Sequence, residues 1–226
     1  MFDSIALNKA IEMLPYFLNV LGIGALTTVG LTAAAFVVAT LLGFCLALMR
    51  LSRSRVLSLI ASAYLEVFRN IPILTQLFIL YFGLTYIGIT LPAIGAAIIG
   101  FGLNGAAILS EVFRSSIRTI DRGQSEAAYS IGMTRSLAMR IIVLPQAFKV
   151  AIPGMANFAI GLLKDTSLAS AAAVPELTFK AKMLVSETYQ TNLIYFLLAT
   201  IYLVLSLVLS HWAARTERRL KVVKEN

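Results

Sequence analysis

Between Glu12 and Arg50 the chain carries no charged residue. That run is longer than the about 20 residues a helix needs to cross a bilayer core. Pro15 with Tyr16 and Phe17 makes its first residues an interfacial lead-in, so a first span is predicted over 18–49, tilted or overlong. Upstream, Ile5, Leu7, Ile11 and Leu14 alternate loosely with Asp3, Lys9 and Glu12, the pattern of a short amphipathic segment lying on a membrane surface. A cleaved leader is the alternative, but a basic start is missing and the apolar run is too long. A retained first span is therefore expected.

Arg50, Arg53 and Arg55 close that span, and a second follows over 56–82, interrupted by Glu66, Arg69 and Pro72. A third is predicted over 93–113 and carries only Glu111, near its end. Residues 114–149 are polar and basic, the only long non-membrane segment inside the chain. A fourth span over 150–174 contains the neighbours Lys164 and Asp165. A mixed stretch with Glu176, Lys180, Lys182 and Glu187 leads to a fifth span over 192–213. The predicted fold is a single all-α membrane domain, 1–226, with five transmembrane helices.

Composition supports the spans and narrows the function classes. Of 226 residues, 59% are hydrophobic and 13% charged, and the mean hydropathy is +0.86. So few charges cannot cover a water-facing surface of this size, which excludes an ordinary soluble enzyme and a disordered chain alike. The net charge of +8 is ambiguous until it is divided by loop. Residues 50–55 carry +3, 114–149 carry +4 and 215–226 carry +3, whereas the opposite loops are neutral or slightly acidic. Basic loops stay inside, so the N-terminus is expected outside and the C-terminus in the cytoplasm. The same dispersion, with no aromatic platform among the basic residues, argues against a nucleic-acid partner. Cys45 stands alone, so no intramolecular disulfide can form, and His211 beside Trp212 reads as a solvated interfacial side chain.

The chain has no Gly-Lys step and hence no phosphate-binding loop, and one histidine cannot build a histidine-rich metal site. An intrinsic hydrolase or ATPase is not expected. What remains are polar groups at membrane depth, which are costly and mark a path or a structural pair. Glu66 and Arg69 share a helix face and can neutralise each other, while Pro72 removes a backbone donor and favours a break beside them. Asp165 lies about 24 Å along a helix from Lys149, near or past the midplane of a core about 30 Å thick. With Thr166 and Ser167 it could accept hydrogen bonds from a ligand ammonium; the alternative is that Lys164 and Asp165 satisfy backbone or neighbouring-subunit groups. Asn104 adds a polar side chain inside the third span, next to the small residues Gly105, Ala106 and Ala107 that suit close helix packing.

The loop 114–149 contains Gly123, Gln124, Ser125, Glu126, Ala127, Ala128 and then Gly132, followed by Ile142, Val143, Leu144 and Pro145. Its Ala pattern predicts a short helix with a small-residue face, which lets another protein approach closely. These residues resemble the EAA loop of type I ATP-binding-cassette importer permeases. The segments Glu66 to Leu77, Glu111 to Arg114 and Leu163 to Leu168 are similar to that family's polar amino-acid branch, so the likeness runs over most of the chain. The chain departs from the branch pattern at Asn70 and Ile71, where Gly-Thr is common, and at Ile108, where a Tyr is frequent.

The resemblance implies a transmembrane permease subunit of an ATP-driven importer of polar amino acids, working by alternating access in a prokaryotic inner membrane. It implies two cytoplasmic ATP-binding subunits that hold the ATP and Mg, a second permease subunit, identical or related, and an external substrate-binding protein. No cofactor is expected in this chain. Gly123, Glu126, Ala127, Ala128 and Gly132 would couple to the ATPase. Asp165, Thr166, Ser167, Asn104, Gln76 and Arg69 are the candidate substrate contacts, with Glu66, Pro72, Glu111, Arg114 and Pro145 structural. Two other classes compete: a secondary transporter driven by an ion gradient, for which no inverted repeat is evident, and a membrane scaffold without a path.

Overall fold

A computed structural model describes residues 12–222, and for 219–222 the backbone alone. The amphipathic segment expected before residue 12 and the last basic residues lie outside the described residues. Every regular element among the described residues is helical. Helix α1 is Leu14–Leu51, α2 is Arg55–Asn70, and α3 is Ile73–Phe78, which continues through a wide π turn, Ile79–Gly83, into a last turn at Leu84–Tyr86. Helix α4 is Ala93–Thr119 and α5 is Arg122–Ser130. A helical turn, Arg135–Ala138, and a second π turn, Met139–Val143, lead into α6, Leu144–Asp165, which tightens into a 3-10 segment, Thr166–Ala172. Helices α7, Leu177–Thr188, and α8, Thr191–Val222, complete the order.

Among the described residues, four helices are long and apolar enough to cross a membrane: Leu14–Leu51, Ala93–Thr119, Arg135–Ala172 and Thr191–Arg218. The bent pair Arg55–Asn70 and Ile73–Tyr86 makes five if it counts as one broken span. Helix is the structure such runs must adopt, because a hydrocarbon core offers no water to unpaired amides. The third predicted span, 93–113, continues as a helix to Thr119 and ends on charged and hydroxyl residues that belong in water.

The described chain divides into two compact units. One comprises the described residues up to Ala35, with Ile73–Phe101 and Ile160–Leu209. Its core joins Phe17 and Leu21 of α1 to Leu177, Ala181 and Leu184 of α7 and to Ile194 of α8. The start of α7 approaches α1 so closely that a methyl at Gly24 would lie 2.8 Å from the Leu177 Cα. One turn on, the Leu177 amide donates to Thr28 Oγ1 at 3.2 Å.

The other unit comprises Phe36–Pro72, Gly102–Ala159 and the described residues from Ser210. Ala39 and Ala47 of α1 pack with Leu109 and Phe113 of α4 and with Ala151 and Met155 of α6. A second cluster joins Leu46 to Ala61 and Leu65 of α2 and to Ala106 and Ala107 of α4. A methyl at Gly105 would meet the Phe158 ring at 2.4 Å and the Ala39 Cβ at 2.8 Å, so the small residues of α4 serve close packing. Glu111 is the electrostatic centre of this unit: it pairs with Arg50 and takes the Arg114 guanidinium at 2.6 Å. Only 29% of its side chain is exposed, against 19% for Arg50 and 21% for Arg114.

Two predictions follow from this packing. Gly24→Ala forces α1 off a rigid backbone neighbour and costs about 1–3 kcal/mol, whereas nothing lies within 4 Å of a methyl at Gly22. Melting curves in detergent should show a clear drop for Gly24→Ala and no loss for Gly22→Ala; equal effects contradict the close approach. Glu111→Gln removes both ion pairs and leaves two part-buried cations, a loss of about 1–3 kcal/mol, between the surface and buried limits. It should melt lower than Arg50→Gln, which removes one pair, and the reverse order would refute the network.

Candidate functional site

In the first unit, Asp165 is the last residue of α6, where the helix tightens to a 3-10 turn. Its carboxylate is exposed and caps no backbone amide, and among the described residues it accepts no hydrogen bond. Thr166 is fully buried and its hydroxyl donates to Leu163 O at 2.7 Å, so that proton is engaged within the helix. Ser167 is half-buried on the same turn. Helix α3 packs against this 3-10 segment, and α3 carries Gln76, 5% exposed. Lys182 of α7 donates to Ser170 Oγ at 3.0 Å and ties the far end of the turn down. One unit thus assembles Asp165, Thr166 and Ser167 at a change of helix type, with the Gln76 helix beside them.

In the second unit, α2 ends at Asn70 and the chain becomes extended at Ile71 before Pro72. The expected Glu66–Arg69 pair does not form. Glu66 Oε2 instead accepts from Asn70 Nδ2 at 3.0 Å, and the same amide donates to Glu66 O at 2.7 Å. Asn70 wins because one short amide on the next helix position serves the carboxylate and the carbonyl together. Arg69 is exposed and, among the described residues, takes part in no ion pair. Asn104 Nδ2 donates to Phe68 O at 2.7 Å, and Tyr64 OH donates to Leu103 O at 2.8 Å. Helix α4 therefore holds the last two turns of α2.

The Glu126 segment forms α5, a rod of 9 residues with both ends closed. Asp121 Oδ1 accepts from the Gly123 amide at 2.7 Å and caps the start. At the other end Gly132 stands at φ 83°, its amide bonding Tyr129 O at 3.0 Å while Met133 N bonds Ala128 O at 3.0 Å. That paired closure needs a left-handed residue, which is why a glycine stands there. Ala128 is buried, Glu126 and Ala127 face outward, and Gln146 of α6 donates to Gln124 Oε1 at 3.1 Å. The π turn Met139–Val143 ends next to Pro145, whose nitrogen cannot donate to the preceding turn. A capped rod anchored on one alanine and presenting a carboxylate beside small residues can transmit a push from a partner without fraying.

One buried group escaped the sequence reading, which took Glu176 for a loop charge. It is fully buried and caps α7, with Oε1 accepting from Phe179 N and Oε2 from Thr178 N, both at 2.8 Å. Tyr202 OH donates to Oε2 at 3.0 Å and lies 3.0 Å from Thr178 Oγ1. Burial pushes this carboxyl above the usual carboxylate range, and the two amides, the Tyr202 hydroxyl and Lys182 pull it back in part. An acidic residue after a proline at the head of an amphipathic run was the available signal. Arg50, read only as an orienting charge, escaped likewise as a partner of Glu111.

Residues 39–222 match the family described as binding-protein-dependent transport system inner membrane component. The chain is 41% identical over 193 residues to the probable amino-acid ABC transporter permease protein YckA of Bacillus subtilis (strain 168), covering 85% of this chain and 84% of the relative. It is 39% identical over 205 residues to the L-cystine transport system permease protein TcyB of the same organism, covering 90% and 88%. Among solved structures, that of an amino acid ABC transporter with histidines superposes with a TM-score of 0.87 at 36% identity, over 92% of this chain and 97% of the other. An inward-facing MetNI methionine ABC transporter shares the fold alone, with a TM-score of 0.77 at 19% identity, over 89% and 96%. With its Glu126 helix between two membrane-length helices and its Arg69 break, the chain belongs to the inner membrane component family of binding-protein-dependent ABC transport systems.

Proposed function

We propose that this chain is the permease subunit of an ATP-driven importer of polar amino acids in a prokaryotic inner membrane, with its N-terminus outside and its C-terminus in the cytoplasm. The observation that carries the reading is α5, a doubly capped helix that presents Glu126 and Ala127 outward. The amino-acid ABC transporter permeases at 41% and 39% identity supply the substrate class. The partners are cytoplasmic subunits that bind ATP and Mg, a second permease subunit, identical or related, and an external binding protein. ATP hydrolysis belongs to those cytoplasmic subunits. Their closure pushes on α5, and the spans answer by alternating access, a rigid-body exchange between two packings.

A zwitterion crossing hydrocarbon needs polar replacements for its lost water. Asp165 meets the α-ammonium: it is exposed, with no hydrogen bond from the described residues. Ser167 is its hydroxyl neighbour, and Thr166 keeps acceptor capacity after donating to Leu163 O. Gln76 stands on the helix packed against them. Arg69 is a separate cation on the path, able to meet a carboxylate.

Uptake of labelled amino acid into proteoliposomes holding the whole transporter and internal ATP tests both assignments. Asp165→Asn should raise KM roughly ten-fold or more, the scale of one charged hydrogen bond, with assembly intact. Glu126→Arg should abolish uptake and weaken retention of the ATP-binding subunits. Wild-type KM in the first variant sinks the substrate contact, and wild-type coupling in the second sinks the α5 assignment.

A further inference from the structure

In a continuous α-helix the carbonyl of residue i is bonded by the amide of residue i+4. For Phe68 that residue is Pro72, which has no amide proton. Asn104 Nδ2 donates to Phe68 O at 2.7 Å, at the place in the ladder where the proline fails. One turn earlier Tyr64 OH donates to Leu103 O at 2.8 Å, and the Tyr64 and Phe68 rings stack with centroids 4.4 Å apart. Leu103 and Asn104 are consecutive, so a single turn of α4 grips the last two turns of α2 from both directions.

We propose that Asn104 is a positioning residue, not a substrate ligand: it supplies the donor that Pro72 lacks and so fixes the turn that presents Arg69. The Asn70 amide, bonded to Glu66 O and Oε2, locks the neighbouring positions of the same turn. Arg69 then stands exposed at a fixed direction on that helix end. The proline creates the break and the asparagine keeps it ordered. The two positions are coupled through one carbonyl.

Two measurements on the assembled transporter test this. The isosteric Asn104→Asp removes both N–H donors, keeps an acceptor and adds charge, which would strengthen any contact with a substrate ammonium. Positioning predicts that Asn104→Asp and Asn104→Leu each lose uptake rate by roughly ten-fold, the scale of one lost hydrogen bond at a part-buried carbonyl, with little change in KM. Uptake at the wild-type rate, or with lowered KM, in Asn104→Asp makes residue 104 a ligand and overturns the proposal. The second measurement is thermal melting, which stands even if the transported substrate is not an amino acid. Asn104→Asp should melt several degrees below wild type, and adding Pro72→Ala, which restores an amide at position 72, should recover at least half of that loss. Strictly additive effects of the two substitutions also overturn the proposal. If Asn104→Asp alone fails to assemble, assembly of the Pro72→Ala, Asn104→Asp double variant is the recovery, and its failure to assemble is the refutation.

Discussion

A backbone carbonyl or amide without a partner costs several kcal/mol in hydrocarbon, and the chain is organised around that penalty. Long uninterrupted helices meet it by default, as α1 and α8 do. The informative places are those where the ladder stops, because each stop needs a donor or acceptor from elsewhere. At the Pro72 break Asn104 donates to Phe68 O. At the head of α7 the acceptors are Glu176, for the Thr178 and Phe179 amides, and Thr28, for that of Leu177. At the tail of α5 the closure comes from the left-handed Gly132.

Charges follow the same logic of compensation. Glu111 holds two arginines, and Glu176 is surrounded by two amides and a tyrosine hydroxyl, so neither is available to a ligand. Arg69 at the extended break and Asp165 at the switch to 3-10 stand apart from these networks, each at a helix end made by a change in backbone geometry. Charge that is exposed on an ordered helix terminus in a membrane chain is costly unless something meets it. In the proposed function a passing zwitterion would be such a partner. Glu126 stands equally exposed, but on a rod outside the long apolar helices, where the proposed ATP-binding partner would meet it.

Most of the fold was legible because its signals are local. Apolar runs, the proline at 72 and the alanine pattern at 123–132 announce helices, a break and a short helix without tertiary knowledge. Partner choice was not local. Glu66 had Arg69 and Asn70 within reach on one face, and only the geometry of the last turn shows that the shorter amide wins both Glu66 acceptors. Glu111 finds Arg50 across 61 positions, which no spacing rule supplies. Asn104 looked like a ligand because a polar side chain in an apolar span usually serves function. Its bond to Phe68 O depends on where two helices cross, and that distance is not written in either one.

The carbonyl of Phe68 is the most direct witness to this account. An isotopically labelled Phe68 carbonyl gives an infrared amide band resolved from the rest of the helix, and its frequency falls when the oxygen accepts a strong hydrogen bond. The native chain should show a low-frequency band that moves up when Asn104 is replaced by Leu. A band that stays in place would mean that Asn104 does not hold the end of the broken helix.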